Sequence, residues 1–224
     1  MRNYIKESED LPGKKYSYKF DEYMRHAIVR TWKPFFLHPA ALEVGGGNGE
    51  LTKYLKNIFV GSYLDCIDPL HNCCLEDYST EKRYHTIIAH NVFEHAENPD
   101  KFLKIAKSLL AEGGRLFISV PNANAPSRQI ACHMELIPYP QYVTDGEYLH
   151  GHRRTYDLNT LCRDVRESNL KIVKHGGVFF KPMANFQIDA ALDGGIITPE
   201  YMEGCYRLGE HYPDLCSEIY VIAE

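Results

Sequence analysis

Short apolar runs alternate along the chain with stretches that are apolar on one face, the pattern of strands buried on both sides and helices packed against them. Tyr16 to Phe36 sets Phe20, Tyr23, Met24, Ala27, Ile28 and Thr31 on one side of a helix that Pro34 ends. The run Ala41-Leu-Glu-Val44 reads as a strand, and Leu51, Tyr54 and Leu55 then mark one face of a helix. A second strand follows at Tyr63 to Asp68 and another at Tyr84 onward. Phe102, Leu103, Ala106, Leu109 and Leu110 keep helical spacing over Asp100 to Leu110, the pair Gly113-Gly114 is expected to stop that helix, and Arg115 to Pro121 reads as a strand. Further on the pattern predicts a helix over Leu158 to Ser168 capped by Asp157, a strand over Lys171 to Gly177, a helix over Pro199 to Glu210 and a last strand over Glu218 to Ala223. Residues 129 to 150 are predicted irregular, with Pro138, Tyr139, Pro140, Tyr142 and Tyr148. Phe179 to Gly195 reads as an insertion carrying Lys181, Asn185 and Gln187. Strand and helix in alternation predict an α/β fold around a mostly parallel sheet.

Composition narrows the class. The chain has 224 residues, 44% of them hydrophobic and 25% charged, enough to bury a core without staples. A net charge of −5 gives no footprint for a polyanion, so nucleic acid is disfavoured and a small molecule is the expected partner. Seven cysteines with no Cys-x-x-Cys pair argue against a disulfide framework and a structural zinc site, and no metal site is expected. The first ten residues lack the apolar core of a signal peptide, and no run of eighteen apolar residues occurs, so a soluble cytoplasmic protein is expected.

The most informative stretch is Glu43-Val-Gly-Gly-Gly-Asn-Gly49, at the turn between the first strand and its helix. Gly45, Gly46, Gly47 and Gly49 let backbone approach a ligand closely. No Gly-Lys-Ser/Thr follows, so this is not a P-loop, and the glycines are set more tightly than in dinucleotide sites. A buried carboxylate at Glu43 would repel a pyrophosphate and attract an ammonium. Roughly 20 residues beyond Gly49, Asp68 can accept from a ribose diol, the role of an acid at this spacing in Rossmann-like folds. The alternative for Asp68 is a turn acid beside Pro69.

In this order the motifs resemble class I S-adenosylmethionine (SAM) dependent methyltransferases over roughly residues 40 to 122. The resemblance implies a three-layer Rossmann-like sandwich with a mostly parallel seven-stranded sheet and an antiparallel last strand. Residues 69 to 83 are too few for the helix, strand and loop usual there, so the sheet is abbreviated after the second strand or that strand lies elsewhere. The resemblance also implies SAM as cofactor, S-adenosylhomocysteine as product, Asp77 near the adenine and Asn91 beside the cofactor; Asp77 reads alternatively as a solvated loop acid. The implied layout is one domain over 1–224. It comprises an N-terminal lid helix at 1–39, a SAM-binding core at 40–122, an acceptor-binding insertion at 123–157 and the C-terminal half of the sheet at 158–224.

The acceptor is expected to meet the breaker-rich loop Pro121 to Arg128 and the run His150-Gly-His-Arg-Arg-Thr-Tyr156, where Arg153 and Arg154 could clamp a carboxylate or phosphate and Tyr156 could line the site. The bland alternative is a solvated loop. Tyr23 and His26 are further acceptor candidates, with core packing as their alternative. His95, just past the Tyr84 strand, is the expected base for a hydroxyl acceptor, with His150 and His152 in reserve; its alternative is a structural histidine bonded to a neighbouring carbonyl or to Glu94. The stretches Gly151 to Asp157, Phe180 to Asn185 and Tyr212 to Val221 are similar to small methyltransferases of bacterial sugar and surface-polysaccharide metabolism. The expectation is therefore O-methylation of a sugar, nucleotide-sugar or similar polar metabolite. An N-methyltransferase, a quinone or phenol O-methyltransferase, and a SAM-binding regulator without catalysis are the alternatives.

Overall fold

The computed structural model describes residues 18–69 and 73–224. The start of the expected first helix, Tyr16 and Ser17, and the rest of the N-terminal segment lie outside the described residues. The elements run α1 (Lys19–Trp32), β1 (Ala40–Val44), α2 (Glu50–Ile58), β2 (Tyr63–Ile67), β3 (Tyr84–His90), α3 (Pro99–Leu109), β4 (Leu110–Pro121), α4 (Pro126–His133), α5 (Asp145–Leu149), α6 (Leu158–Glu167), β5 (Ile172–Val178), α7 (Asn185–Asp193), α8 (Pro199–Gly209) and β6 (Glu218–Ala223). Six strands form one sheet in the order β2-β1-β3-β4-β6-β5. β1 is parallel to β2 and β3, and β3 is parallel to β4. Lys171 and Glu224 exchange amide-to-carbonyl bonds of 2.8 and 2.9 Å, the closed pair of an antiparallel ladder, so the last strand runs against β5.

Seven strands were expected and six are found among the described residues. Among the described residues between β2 and β3 there is no further strand, and the 3-10 turn Leu75–Asp77 lies there, so the sheet is abbreviated where the chain is short. The glycine pair also differs from expectation. α3 ends at Leu109, and Gly113 and Gly114 lie inside β4, where the register against β3 shifts between Tyr84 and Thr86. A Cβ on Gly114 would sit 2.8 Å from the Tyr84 carbonyl oxygen, so the pair serves an irregularity in the strand and not a helix cap. Three helices escape the apolar pattern. α4 and α5 bury no residue, so periodicity had nothing to register, and α7 occupies the expected insertion.

The described chain divides into two compact units. One comprises Val29–Val120, Leu158–His175 and Tyr220–Glu224. Its core is built on fully buried Trp32, Tyr84, Phe93, Phe102 and Phe117, with Trp32 and Phe117 ring centroids 5.6 Å apart. The other comprises the described residues up to Ile28, Pro121–Asp157 and Gly176–Ile219. Phe20 packs on Phe179 at 5.4 Å there, and buried Lys181 lies 4.6 Å from the Phe20 ring centre while donating to the Met183 carbonyl at 2.9 Å. Burial pulls the Lys181 ammonium down to about 8, against the opposing charges of Asp21 and Glu218.

Candidate functional site

β1 delivers the glycine loop. Gly45 donates to the Ile67 carbonyl at 2.7 Å, and Gly49 donates to Gly46 at 2.8 Å and caps α2 in a left-handed conformation. Two glycines show why no other residue suits. A Cβ on Gly45 would lie 2.2 Å from Val92 Cγ2, so the loop after β3 rests directly on it. Gly47 has a φ of +52°, and a Cβ there would meet nothing within 4 Å. The backbone at Gly47 therefore borders open space.

Beneath this loop Glu43 is 1% exposed, and neither carboxylate oxygen has a hydrogen-bond partner among the described residues. The Thr52 hydroxyl and Cys66 thiol lie close to it without reaching hydrogen-bond geometry. Burial pushes the Glu43 carboxyl up, and the neighbouring Asp68 adds to the push while Thr52 and Cys66 oppose it. Cys66, on β2, is exposed as a residue, and its thiol is pushed to about 11 by partial desolvation and by the two carboxylates. An orphaned buried carboxylate is costly unless a donor completes it, and an ammonium is a suitable donor.

Asp68 is 5% exposed and its Oδ2 accepts from the Gly47 amide at 2.7 Å, so the acid at the end of β2 and the glycine loop are brought together. Asp65, the alternative on the same strand, is committed elsewhere: it accepts from Lys82 and from the Tyr84 hydroxyl, each at 2.7 Å. Asp77 stands apart, on the surface with its carboxylate 3.5 Å from the Lys101 ammonium.

The carboxyl end of β3 supplies the next group. Asn91 has a φ of +52° and donates its amide to the Ser119 carbonyl at 3.0 Å. Such backbone in a residue other than glycine concentrates at functional sites. Residues Phe93–His95 form a 3-10 turn in which Glu94 is buried and the half-exposed His95 has Nε2 3.8 Å from a Glu94 oxygen. His90, which the apolar pattern absorbed into the strand, has Nδ1 2.7 Å from the Ser119 hydroxyl. Its position as the last residue of a central parallel strand was the available signal.

The remaining candidates belong to the other compact unit. On α1, Phe20, Met24, Ala27 and Ile28 are buried as the helical pattern requires, Tyr23 is half-buried and His26 is exposed. Tyr156 is buried and bridges Asn122 in parallel, with the Ala123 amide donating to its carbonyl at 2.7 Å. Asn122 in turn donates to the carbonyls of Asp214 and Cys216, both at 2.8 Å, so the loop after β4 is a fixed platform. Along the run His150 to Arg154, Arg153 is exposed while His150, His152 and Arg154 are half-buried. Arg128, which the sequence left at the edge of a breaker-rich loop, has its guanidinium engaged within this segment.

The residues around the loop fit SAM in kind: an orphaned carboxylate for an ammonium, open space beside Gly47, and an acid at the end of β2. The seven cysteines are free thiols, and among the described residues no helix is long and apolar enough to cross a membrane.

Comparison with known proteins agrees. The chain is 25% identical over 114 residues to a ubiquinone biosynthesis O-methyltransferase of Aeromonas salmonicida (strain A449), a match over 47% of this chain and 43% of that protein. The chain thus spans less than half of that relative. Among solved structures, a SAM-dependent methyltransferase from Archaeoglobus fulgidus superposes with a TM-score of 0.58 at 16% identity, over 99% of both chains. The 1,6-didemethyltoxoflavin-N1-methyltransferase of Burkholderia thailandensis, crystallised with 1,6-didemethyltoxoflavin and S-adenosylhomocysteine, gives 0.54 at 16% identity over 91% of this chain and 79% of that one. These two likenesses speak for the Rossmann-like methyltransferase fold. The model of the methyltransferase domain matches residues 16–175, more than half of the chain, which therefore belongs to that family.

Proposed function

We propose that the enzyme methylates a hydroxyl of a small polar metabolite, a sugar or nucleotide-sugar being the best fit. The observation that supports this most is the run His150 to Arg154, where two histidines and a half-buried arginine stand in a segment that contributes little to the core. A guanidinium there suits a phosphate or carboxylate on the acceptor. In this reading Glu43 and the loop Gly45, Gly46, Gly47 and Gly49 hold the methionine part of SAM, Asp68 takes the ribose and Asn91 lines the same edge. Asp77, out in solvent beside Lys101, suits a surface acid better than an adenine contact. Tyr23, His26, Arg153, Arg154 and Tyr156 are assigned to the acceptor.

When bound, SAM supplies a sulfonium-activated methyl group open to in-line attack. The chain's part is to align the acceptor and to accept its proton. His95 is assigned that proton, with His150 and His152 as reserves. His95→Gln should then lower turnover about a hundredfold or more, the usual cost of losing a positioned base, and leave S-adenosylhomocysteine affinity intact.

A second reading has an observation of its own. The Aeromonas relative is named for ubiquinone biosynthesis, and Met134, Leu136, Tyr139 and Tyr148 expose apolar surface on residues 134–148, which would suit a phenol or quinol. Incubation with radiolabelled SAM and a panel of sugars, nucleotide-sugars, catechols, quinols and amines separates the readings. Label in the sugars or nucleotide-sugars is expected. Label confined to the quinols or amines would replace the proposal.

A further inference from the structure

Residues 134–144 carry no regular secondary structure, and the helices on either side, α4 and α5, bury none of their residues. Buried side chains of these helices therefore do not anchor the stretch, within which the Tyr139 and Tyr142 rings meet with centroids 5.7 Å apart. One guanidinium reaches across it. Arg128, on α4, donates through Nε to the Pro140 carbonyl at 2.6 Å, through Nη2 to the Tyr142 carbonyl and through Nη1 to the Glu147 carboxylate. The two charged side chains are only 17% and 22% exposed. The second Glu147 oxygen accepts from the Thr144 amide at 2.8 Å and from its hydroxyl at 2.9 Å, and the Thr144 hydroxyl accepts from the Glu147 amide at 3.2 Å, a reciprocal cap on α5. Burial alone would raise the Glu147 carboxyl. The Arg128 charge and the Thr144 bonds outweigh it and hold the group below the usual carboxylate range.

α5 passes this order to the residues that follow. Gly146 accepts from the His150 amide at 3.1 Å, Tyr148 from the Gly151 amide at 2.9 Å and Glu147 from the His152 amide at 2.9 Å. At the far end the Thr155 hydroxyl returns to the Gln141 carbonyl at 2.8 Å, next to the carbonyls that Arg128 holds. The run His150 to Arg154 thus lies between the Tyr156 bridge and a helix whose capping glutamate is also paired with Arg128. A sheltered ion pair adds little net stability and can be replaced by apolar residues at small cost, while it can still select one conformation. Lysine cannot reproduce the fork, because its single ammonium lacks the planar set of donors.

We propose that Arg128 is the positioning residue of the acceptor segment. Through Glu147 it sets where His150 to Arg154 stand, so that acceptor affinity depends on it and cofactor affinity does not. The inference rests on the reading of that run as acceptor-binding. The test uses the double variant Arg128→Met/Glu147→Leu, which removes the pair without stranding a charge, and Arg128→Lys, which keeps the charge and loses the fork.

Hydrogen–deuterium exchange on the intact proteins should show the amides of His150, Gly151 and His152 exchanging about tenfold faster or more in the double variant. α2, beside the glycine loop, should keep its rates, and the dissociation constant for S-adenosylhomocysteine should stay within about twofold. With the best acceptor of the panel, KM should rise about tenfold with kcat changed far less, and Arg128→Lys should fall between the double variant and the wild type. If the double variant does not fold, Arg128→Lys carries the same comparison. Unchanged exchange at these amides, faster exchange with an unchanged KM, or a parallel loss of S-adenosylhomocysteine affinity would overturn the proposal. If the wild type labels no member of the panel, the acceptor reading fails on its own account, and the exchange measurement still decides what Arg128 holds.

Discussion

The glycine loop and the segment after β4 are built on opposite principles. The loop sits at the end of a buried parallel strand, its shape fixed by backbone contacts such as the Gly45 amide on the Ile67 carbonyl and the Gly49 amide on that of Gly46. The later segment has short helices without buried residues and is held by polar side chains, Asn122 at one end and Arg128 in the middle. A cofactor that does not change calls for the first kind of construction. An acceptor site that differs between enzymes is more easily rebuilt on the second, where a few polar residues can be exchanged without repacking a core.

The largest effect should come from the loop itself. Gly47→Val should weaken S-adenosylhomocysteine binding by at least about a hundredfold, or about 2.7 kcal/mol, because the branched side chain enters the open space beside the loop. It should stay folded, since a Cβ at Gly47 meets nothing within 4 Å and the left-handed backbone costs about 1–2 kcal/mol. Gly45→Val should instead lower the melting temperature sharply, because its Cβ would lie 2.2 Å from Val92. Equal stability of the two variants by calorimetry would contradict this division.

Asp68→Ala should cost about 1.5–3 kcal/mol of cofactor affinity, the size of a hydrogen bond to a charged group, and it also removes the acceptor that steadies the Gly47 amide. Isothermal titration with S-adenosylhomocysteine measures it, and unchanged affinity would move the ribose contact to another residue. In the segment proposed to bind the acceptor the effects should be smaller and unequal. Arg154→Ala, at a half-buried residue, should raise the acceptor KM about tenfold, or about 1.4 kcal/mol, while exposed Arg153→Ala changes it little. Neither should alter S-adenosylhomocysteine affinity.

A last effect, on stability and not on binding, concerns Lys181. Its folded value of about 8 lies below the ordinary 10.5, so between those limits the unfolded chain holds a proton that the folded chain has lost. Stability from this group therefore rises with pH across that window and is flat below it, by on the order of 3 kcal/mol in all. Cys66 and Cys216, raised to about 11 and about 12, pull the other way above pH 9. The stability difference between wild type and Lys181→Met, followed by denaturant unfolding, isolates the lysine. A difference that does not vary with pH would mean that the ammonium is not desolvated.

What the sequence made legible follows the same contrast. β1, α2, β3, α3 and β6 were readable because buried apolar residues recur at strand or helix spacing, and Glu43 and the glycines because their chemistry is local. The shortened sheet could be inferred from the few residues between Asp68 and Tyr84. α4, α5 and the Arg128 network were not readable by periodicity, since no apolar residue of these helices is buried, although Thr144 and Glu147 spell a capping box. The pairing of Asp68 with Gly47 and of His90 with Ser119 joins residues distant in the chain, which a single sequence does not reveal.

The measurement closest to the central claim is the melting shift that S-adenosylhomocysteine induces in wild type, Gly47→Val and Arg154→Ala. At a hundred times its dissociation constant the ligand should stabilise the wild type by about 2.7 kcal/mol, raising the melting temperature by about 5–10 °C, with no shift from NAD or ATP. Arg154→Ala should keep the whole shift and Gly47→Val should lose it. A shift that survives Gly47→Val, or that a dinucleotide produces in its place, would contradict the assignment of the cofactor to the glycine loop.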